Sequence, residues 1–151
     1  MSGSITVTGV AELTRALQAM AARVEAATPV AVKAAGDLLK AKAQTELSRT
    51  SHAPGTPTPS VAPQPPSKIT GHLHDTWDVL GPTAIGAAIW HEEIGPTAVY
   101  ARIQELGGDT GRGHATTLPA RPYLRPAFEA WMRDPATREV FAKGWARAVR
   151  P

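Results

Sequence analysis

The first part of the chain carries a helical pattern of apolar residues. Before it, Ser4–Thr8 alternates polar and β-branched residues and predicts a short strand that ends at Gly9. From Val10 the period changes, and apolar side chains recur at steps of three and four residues: Leu13, Ala16, Leu17, Met20, Ala21 and Val24. This spacing predicts an amphipathic helix directly after the strand.

Pro29 decides how the helical region is divided. Thr28 is a good N-cap residue and proline is favoured at the first helical position, so a second helix is predicted from Pro29 to about Leu47. One long helix kinked at Pro29 is the alternative. Because the residue before a proline disfavours the α conformation, we favour a break between two helices.

A proline-rich segment, residues 50–68, follows the helices. It contains six prolines and almost no apolar bulk, so it cannot bury a face of its own. These features predict an exposed arm or linker with polyproline character. A segment of this length is either disordered or functional, and the functional alternative is an arm that reaches a neighbouring subunit.

The middle of the chain has strand-like runs. Trp77–Leu80, Ala84–Trp90 and Glu93–Gly95 are separated by Gly81-Pro82 and by polar residues, which predicts an antiparallel meander of short strands.

A helical run and a glycine-rich tip come next. Tyr100–Leu106 has its large apolar residues at helical spacing and predicts a short helix ending at Gly107-Gly108. Asp109–Thr117 is predicted to be a flexible tip. The three prolines of Leu118–Pro126 predict an extended segment.

The last part of the chain is helical again. One helix is predicted from Pro126 to Met132, and Asp134-Pro135 provides a cap and a first-turn proline for the final helix. That helix has an apolar stripe of Val140, Phe141, Trp145, Ala148 and Val149. The whole pattern predicts a single α+β domain over residues 1–151, with N-terminal helices and a C-terminal helix packed on a small antiparallel sheet.

The composition of the 151 residues excludes several classes of protein. Hydrophobic residues make up 42% of the chain, which is enough for one globular core. There are no cysteines, so disulfides and thiolate metal sites are excluded. The N-terminus lacks the pattern of a secretory signal, and no apolar run approaches the roughly 18 residues of a membrane-spanning helix. We therefore expect a soluble protein of cytoplasmic origin.

The net charge of +3 is small but unevenly distributed. Residues 69–101 carry four acidic residues and no Lys or Arg, whereas residues 102–151 carry nine Lys or Arg and five acidic residues. This contrast fits either solvated helix faces or complementary faces on neighbouring subunits. The basic residues are spread over several helices, so the sequence leaves open only a non-specific contact with DNA.

Two groups of histidines and carboxylates are candidates for a metal site: His72, His74 and Asp75, and His91, Glu92 and Glu93. In a strand, His72 and His74 would share a face. However, the second group lacks the second histidine of an HExxH zinc motif. We expect all six to be solvated side chains at strand ends, and we predict no metal and no cofactor.

The sequence contains no recognisable catalytic motif. Gly107–Gly113 is glycine-rich but is not followed by the Lys-Ser/Thr of a phosphate-binding loop, and no GxSxG nucleophile elbow occurs. Asp75 and Asp78 would need burial and raised pKa values to act as acid–base catalysts. We expect that the protein is not an enzyme; a metal- or DNA-dependent enzyme is the alternative from another class.

Several motifs occur in a fixed order. After the helical region rich in Ala, Leu and Lys come a T-G-x-L motif at Thr70–Leu73, a Tyr-Ala-x-x-x-E-x-G block at Tyr100–Gly107, and a P-A-R-P-Y-L-R-P-A segment at Pro119–Ala127. In this order the chain resembles the neck and tail-component proteins of siphoviruses. Mu-like virion morphogenesis (tail completion) proteins show a related order. The resemblance covers most of residues 10–149. It departs from the family at the long proline-rich segment and at Leu106, where phenylalanine is common.

The resemblance implies a structural protein of the bacteriophage virion at the head–tail junction, which acts by assembly without catalysis. Its implied partners are copies of itself, in a ring or another multimer, and other head–tail or tail proteins. Its implied location is the virion, after assembly in the host cytoplasm. A tail terminator, which caps the tail tube, is the alternative structural role.

The motif residues are expected to form an interface or the signature of the fold: Thr70, Gly71, Leu73, Tyr100, Glu105, Gly107, Pro119, Arg121, Pro122, Tyr123, Leu124, Arg125 and Pro126. Arg121 and Arg125 are suited to binding carboxylates, and Glu105 is a candidate partner within or between subunits. Both arginines are expected to matter for fold or assembly, whereas Gly108–Thr117 is expected to tolerate change.

Overall fold

The protein has an α+β fold built around one long helix. The computed structural model describes residues 8–56 and 60–150, so most of the predicted strand Ser4–Thr8 lies outside the described residues. The elements in chain order are α1 (Val10–Leu47), α2 (His72–Asp75), β1 (Trp77–Gly86), β2 (Ile89–Pro96), α3 (Ala101–Leu106), β3 (Gly108–Thr110), β4 (Thr116–Leu118), α4 (Leu124–Arg133) and α5 (Pro135–Ala148).

Helix α1 is continuous over 38 residues, so the predicted break at Pro29 is wrong. A proline inside a helix removes one hydrogen bond and crowds the preceding turn, at a cost of about 3 kcal/mol. Contacts beside Pro29 favour the helix nevertheless. The Thr28 hydroxyl donates to the Val24 carbonyl at 2.8 Å and accepts a hydrogen bond from the Trp145 indole at 3.2 Å. The tertiary packing of the following turns thus outweighs the local preference.

The C-terminal half of α1 lies between the β1–β2 hairpin on one side and helices α4 and α5 on another. Toward the helices, the Trp131 indole donates to the Ala35 carbonyl at 2.8 Å, and Lys42 pairs with Asp134 at 2.5 Å. Toward the hairpin, Gly36 leaves no space for a side chain beside Glu92. Since successive residues of a helix point about 100° apart, neighbouring residues 35 and 36 serve these two different sides.

The β1–β2 hairpin replaces the predicted meander. Two antiparallel strands pair from Trp77↔Pro96 to Gly86↔Ile89, and their turn falls inside the predicted strand Ala84–Trp90. Gly81-Pro82 does not end a strand but coincides with a shift of register between Leu80 and Thr83. A proline cannot donate to the ladder, and an irregular position in a two-stranded sheet tolerates that loss.

A second, smaller hairpin forms from the predicted tip Asp109–Thr117. Strand β3 pairs with β4 through Asp109↔Thr117, and the Thr117 hydroxyl donates to the Asp109 carboxylate at 2.9 Å. A single turn of 3-10 helix, Arg112–His114, lies between the strands. The ends of the predicted flexible tip are therefore paired strands.

The helices near the C-terminus largely follow the prediction. Helix α3 ends at Leu106 before Gly107, as predicted, and the Asp134 carboxylate accepts a hydrogen bond from the Ala136 amide at 2.9 Å, which confirms it as the cap of α5. Helix α4 begins two residues before its predicted start at Pro126. A proline is tolerated there because amides in the first turn have no partner within the helix.

The described parts of the proline-rich segment fold back on the body. The Lys68 amide donates to the Thr50 carbonyl at 2.8 Å and the His52 amide to the Lys68 carbonyl at 3.1 Å, so the two ends of the segment pair with each other. Ser60 and Pro65 are buried. The two described ends of the segment are thus paired with each other, whereas residues 53–55 and 61–64 are exposed.

Candidate functional site

Tyr123 is the centre around which the motif residues gather. Its side chain is fully buried in a cluster with Leu47, Leu73, Ala98 and Ala101, while Trp77 and Leu124 pack against the edge of the cluster. Burial raises the pKa of the Tyr123 phenol, and the nearby Glu105 carboxylate raises it further. The hydroxyl has no hydrogen-bond partner among the described residues. Tyr123 therefore packs as the central side chain of this apolar cluster.

Glu105 binds the N-terminus of α4. Its carboxylate accepts hydrogen bonds from the backbone amides of Tyr123 at 2.7 Å, Leu124 at 2.9 Å and Arg125 at 2.9 Å. The first amides of a helix lack internal partners and carry a partial positive charge, so a carboxylate stabilises them. Within the chain, Glu105 thus joins α3 to α4 through the backbone of Arg125, whereas the sequence had suggested an arginine side chain as its partner.

The two arginines of the motif have different environments. Arg121 is only 6% exposed, and its Nε donates to the Ser60 carbonyl at 2.9 Å, which fastens the proline-rich segment to the body. The Arg121 amide also donates to the Gln104 carbonyl at 2.7 Å. The Arg125 side chain is 81% exposed and lies 3.5 Å from Glu129 on its own helix. Only Arg121 is part of the buried arrangement.

Thr70 and Gly71 precede a single helical turn and not a strand. Gly71 has a positive φ of 82°, and a side chain there would meet the Asp75 carboxylate. In this turn, α2, His72 and His74 do not share a face as they would in a strand, because residues two apart point in nearly opposite directions around a helix. His74 lies 2.5 Å from Asp75, and this hydrogen bond lowers the pKa of the Asp75 carboxyl.

The remaining motif residues shape the turns around Tyr123. At Gly107, with φ 70°, a side chain would collide with the Leu118 carbonyl and the Ala120 amide. Tyr100 is partly exposed, with its ring 6.3 Å from that of His72. Three prolines lie between the end of β4 and the first turn of α4. Pro119 is exposed, whereas Pro122 and Pro126 are half-buried beside the proline-rich segment.

The second histidine–carboxylate group is split between the two faces of β2. Glu92 points toward α1, where burial raises the pKa of its carboxyl, and its Oε1 is buried with no hydrogen-bond partner among the described residues. His91 and Glu93 are exposed, 4.0 Å apart. In residues 8–56 and 60–150 no cluster of three or more His, Asp or Glu side chains is arranged to hold a metal ion.

Sequence reasoning missed the residues that attach α1 to the other layers. A side chain at Gly36 would overlap the Glu92 carboxylate and come within 2.5 Å of the Ile94 methyl group. A glycine inside a helical pattern indicates such a close approach, so this signal was present in the sequence. The contacts of Trp131 with Ala35 and of Lys42 with Asp134 had no sequence signal, because the partners are 96 and 92 residues apart in the chain.

Large apolar side chains are exposed at several places in the described part of the chain, and two of these places hold three such residues each. The first is the N-terminal part of α1, where Leu13 is 61% and Leu17 is 51% exposed and Val10 is also exposed. The second is the outer part of the β1–β2 hairpin, where Leu80, Ile85 and Ile89 are all more than half exposed. Contiguous exposed apolar patches commonly mark interaction sites.

The chain has no match among protein-family models, curated proteins or solved structures. No helix in the described part of the chain is both long enough and apolar enough to cross a bilayer.

Proposed function

We propose that this protein is a structural component of a bacteriophage virion at the head–tail junction, a neck or tail-completion protein that acts by assembly without catalysis. Its partners are copies of itself and other head–tail or tail proteins. The ordered motifs provide the family resemblance, and the exposed apolar surfaces of α1 and of the hairpin are the observation that carries an assembly role.

The positions of the motif residues favour a division between fold and interface. Leu73, Glu105, Gly107, Arg121 and Tyr123 serve the inside of the subunit. Surfaces for partners are then left to residues outside the motifs and to the exposed motif residues, such as Pro119 and Arg125. Burying a large aliphatic side chain stabilises a protein by roughly 1.5–3 kcal/mol relative to leaving it in water. A protein partner that covers the exposed side chains would gain this free energy for each of them.

The proposal is tested in a phage that carries a nonsense mutation in the gene for this chain. Complementation with the wild-type gene should restore infectious particles, and electron microscopy of lysates without it should show separate heads and tails. Complementation with Leu80→Ser and Ile85→Ser together should leave the subunit folded but reduce joining. Arg112→Ala, an exposed change away from both apolar surfaces, is the matched control.

Three outcomes separate the alternatives. Joined, infectious particles in the absence of the protein would overturn the proposal. Separate heads and tails of normal length would support a neck role. Tails of abnormal length would instead favour the tail terminator, because a terminator limits the growth of the tail tube.

A further inference from the structure

Residues 10–31 of α1 carry the spacing of a helix-pairing seam. Apolar residues alternate at steps of three and four, and these positions, called the α1 seam below, are Val10, Leu13, Leu17, Met20, Val24, Ala27 and Ala31. The mean step of 3.5 residues is the repeat with which two helices keep the same faces in contact. The seam runs over three heptads without a polar residue.

Part of this seam is already covered by a helix of the same chain. Ala27 and Ala31 line one groove with Val140, Gly144 and Ala148 of α5, and a side chain at Gly144 would lie 3.6 Å from the Ala31 methyl group. Helix α5 starts beside Lys42, where Asp134 pairs with it, and ends beside Ala27. It therefore runs antiparallel to α1 and stops short of the N-terminal part of the seam.

The remaining part has the larger side chains, of which the first three are exposed, whereas Met20 and Val24 are partly buried. Val10, Leu13 and Leu17 are each more than half exposed, in contrast to the alanines beneath α5. At a rise of 1.5 Å per residue, the segment from Val10 to Val24 extends the helix by roughly 20 Å. Its length equals about two heptads.

We infer that the N-terminal part of the α1 seam pairs with the same segment of a second copy of this chain. The pairing continues the packing that α5 begins, and every copy supplies an identical seam. Of the residues that flank this part of the seam, Thr14, Ala16 and Ala21 are small and uncharged, whereas Arg23 is charged and lies near the end of α5. Close approach of two helices without charge repulsion is therefore possible over residues 10–21. Since other elements of the subunit pack against α1 from Ala27 onwards, the helix is formed before it pairs, which reduces the entropic cost of association.

This inference rests on the proposed function, in that it names the partner for one of the two exposed apolar surfaces. It leaves the hairpin surface for other partners.

The chain has no cysteine, so a single introduced cysteine reports contacts cleanly. Leu17→Cys places a thiol on the seam, and Ala22→Cys places one on the opposite, exposed side of the same helix. Mild oxidation of the full-length protein with oxidised glutathione should give a disulfide-linked dimer with Leu17→Cys and little with Ala22→Cys. Equal, slow cross-linking of both variants would contradict the pairing.

Mass in solution provides the second measurement. Light scattering of the wild-type chain should give a mass of at least two copies, and Leu13→Glu with Leu17→Glu should reduce it to the mass of one copy. Ala22→Glu should keep the wild-type mass. All three residues are exposed, so circular dichroism should show unchanged helix content. A wild-type mass of one copy at every concentration, or a double variant that keeps the multimeric mass, would overturn the inference.

Failure of the pairing and failure of the proposed function give different results. Selective cross-linking together with normal particles in the absence of the protein would leave the pairing standing and remove the head–tail role. Absence of selective cross-linking together with separated heads and tails would remove the pairing and leave the role.

Discussion

The two halves of α1 belong to one helix but differ in what covers them. The C-terminal half is buried through small residues, with Ala31, Ala35, Gly36 and Ala43 close to their neighbours. The N-terminal half has larger apolar residues, such as Leu13 and Leu17, and is exposed. Small residues occur where other elements of the chain come close to the helix axis. Leu13 and Leu17 are exposed, as expected of a surface that meets another molecule, whereas Leu47 at the other end of the helix is buried in the cluster around Tyr123.

This difference predicts that the free energy of unfolding depends strongly on the buried cluster around Tyr123 and little on the N-terminal half of α1. Tyr123→Ala should have the largest effect, a loss of roughly 3–5 kcal/mol in the free energy of unfolding, because it opens a cavity at the centre of the core. Tyr123→Phe should be neutral or up to about 1 kcal/mol more stable, since the lost hydroxyl has no partner. Urea unfolding followed by circular dichroism measures both. A strong loss with Tyr123→Phe would show that the hydroxyl has a role.

A substitution of Glu105 tests how α3 holds the N-terminus of α4. Glu105→Ala leaves three amides at the start of α4 without their acceptor and should lower the free energy of unfolding by about 1–3 kcal/mol. Glu129→Ala, on the exposed side of α4, is the control and should change stability by under about 0.5 kcal/mol. Equal effects of the two changes in denaturant unfolding would contradict the capping role.

Substitutions of Arg121 and Arg125 compare a buried and an exposed member of the same motif. Arg121→Ala removes a buried hydrogen bond to Ser60 and should cost about 1–3 kcal/mol and expose the proline-rich segment to protease. Arg125→Ala should change stability by under about 0.5 kcal/mol, because its ion pair is exposed. Limited proteolysis of both variants, with cleavage mapped by mass spectrometry, checks this. Equal protection of the segment in both variants would show that Arg121 does not fasten it.

Glu92→Gln should have a small effect and, like Tyr123→Phe, one that increases stability. The folded state raises the pKa of its carboxyl above the ordinary value of 4.5, chiefly by burial, so the folded state favours the protonated form. The contribution that protonated Glu92 makes to the free energy of unfolding is fully present below the ordinary pKa and is lost as pH rises through the raised pKa. Glu92→Gln should therefore be slightly more stable than wild type at neutral pH, by under about 1 kcal/mol, and the difference should vanish in acid. Thermal unfolding across this pH range tests the sign, and a lower Tm for Glu92→Gln at neutral pH would refute it.

Local signals in the sequence were sufficient where a few neighbouring residues decide the structure. Asp134-Pro135 marked the start of α5, and the glycines after Leu106 marked the end of α3. The same kind of signal failed at Pro29 and at Gly81-Pro82, where long-range packing and strand pairing outweighed a local preference. For the candidate site, the motif residues were identified from the sequence, but the acceptor role of Glu105 toward backbone amides was not, because it depends on how α3 approaches α4.

The sequence by itself determined the α+β class, the apolar stripe of α1 and the absence of cysteine chemistry, since these follow from composition and from spacing within one segment. Only the tertiary structure decided that α1 passes through Pro29, that Tyr123 is the centre on which the motifs converge, and that half of the stripe is left exposed. These features depend on contacts between residues far apart in the chain. The helical period of a sequence predicts which face of the helix is apolar, but the rest of the fold determines which element covers that face.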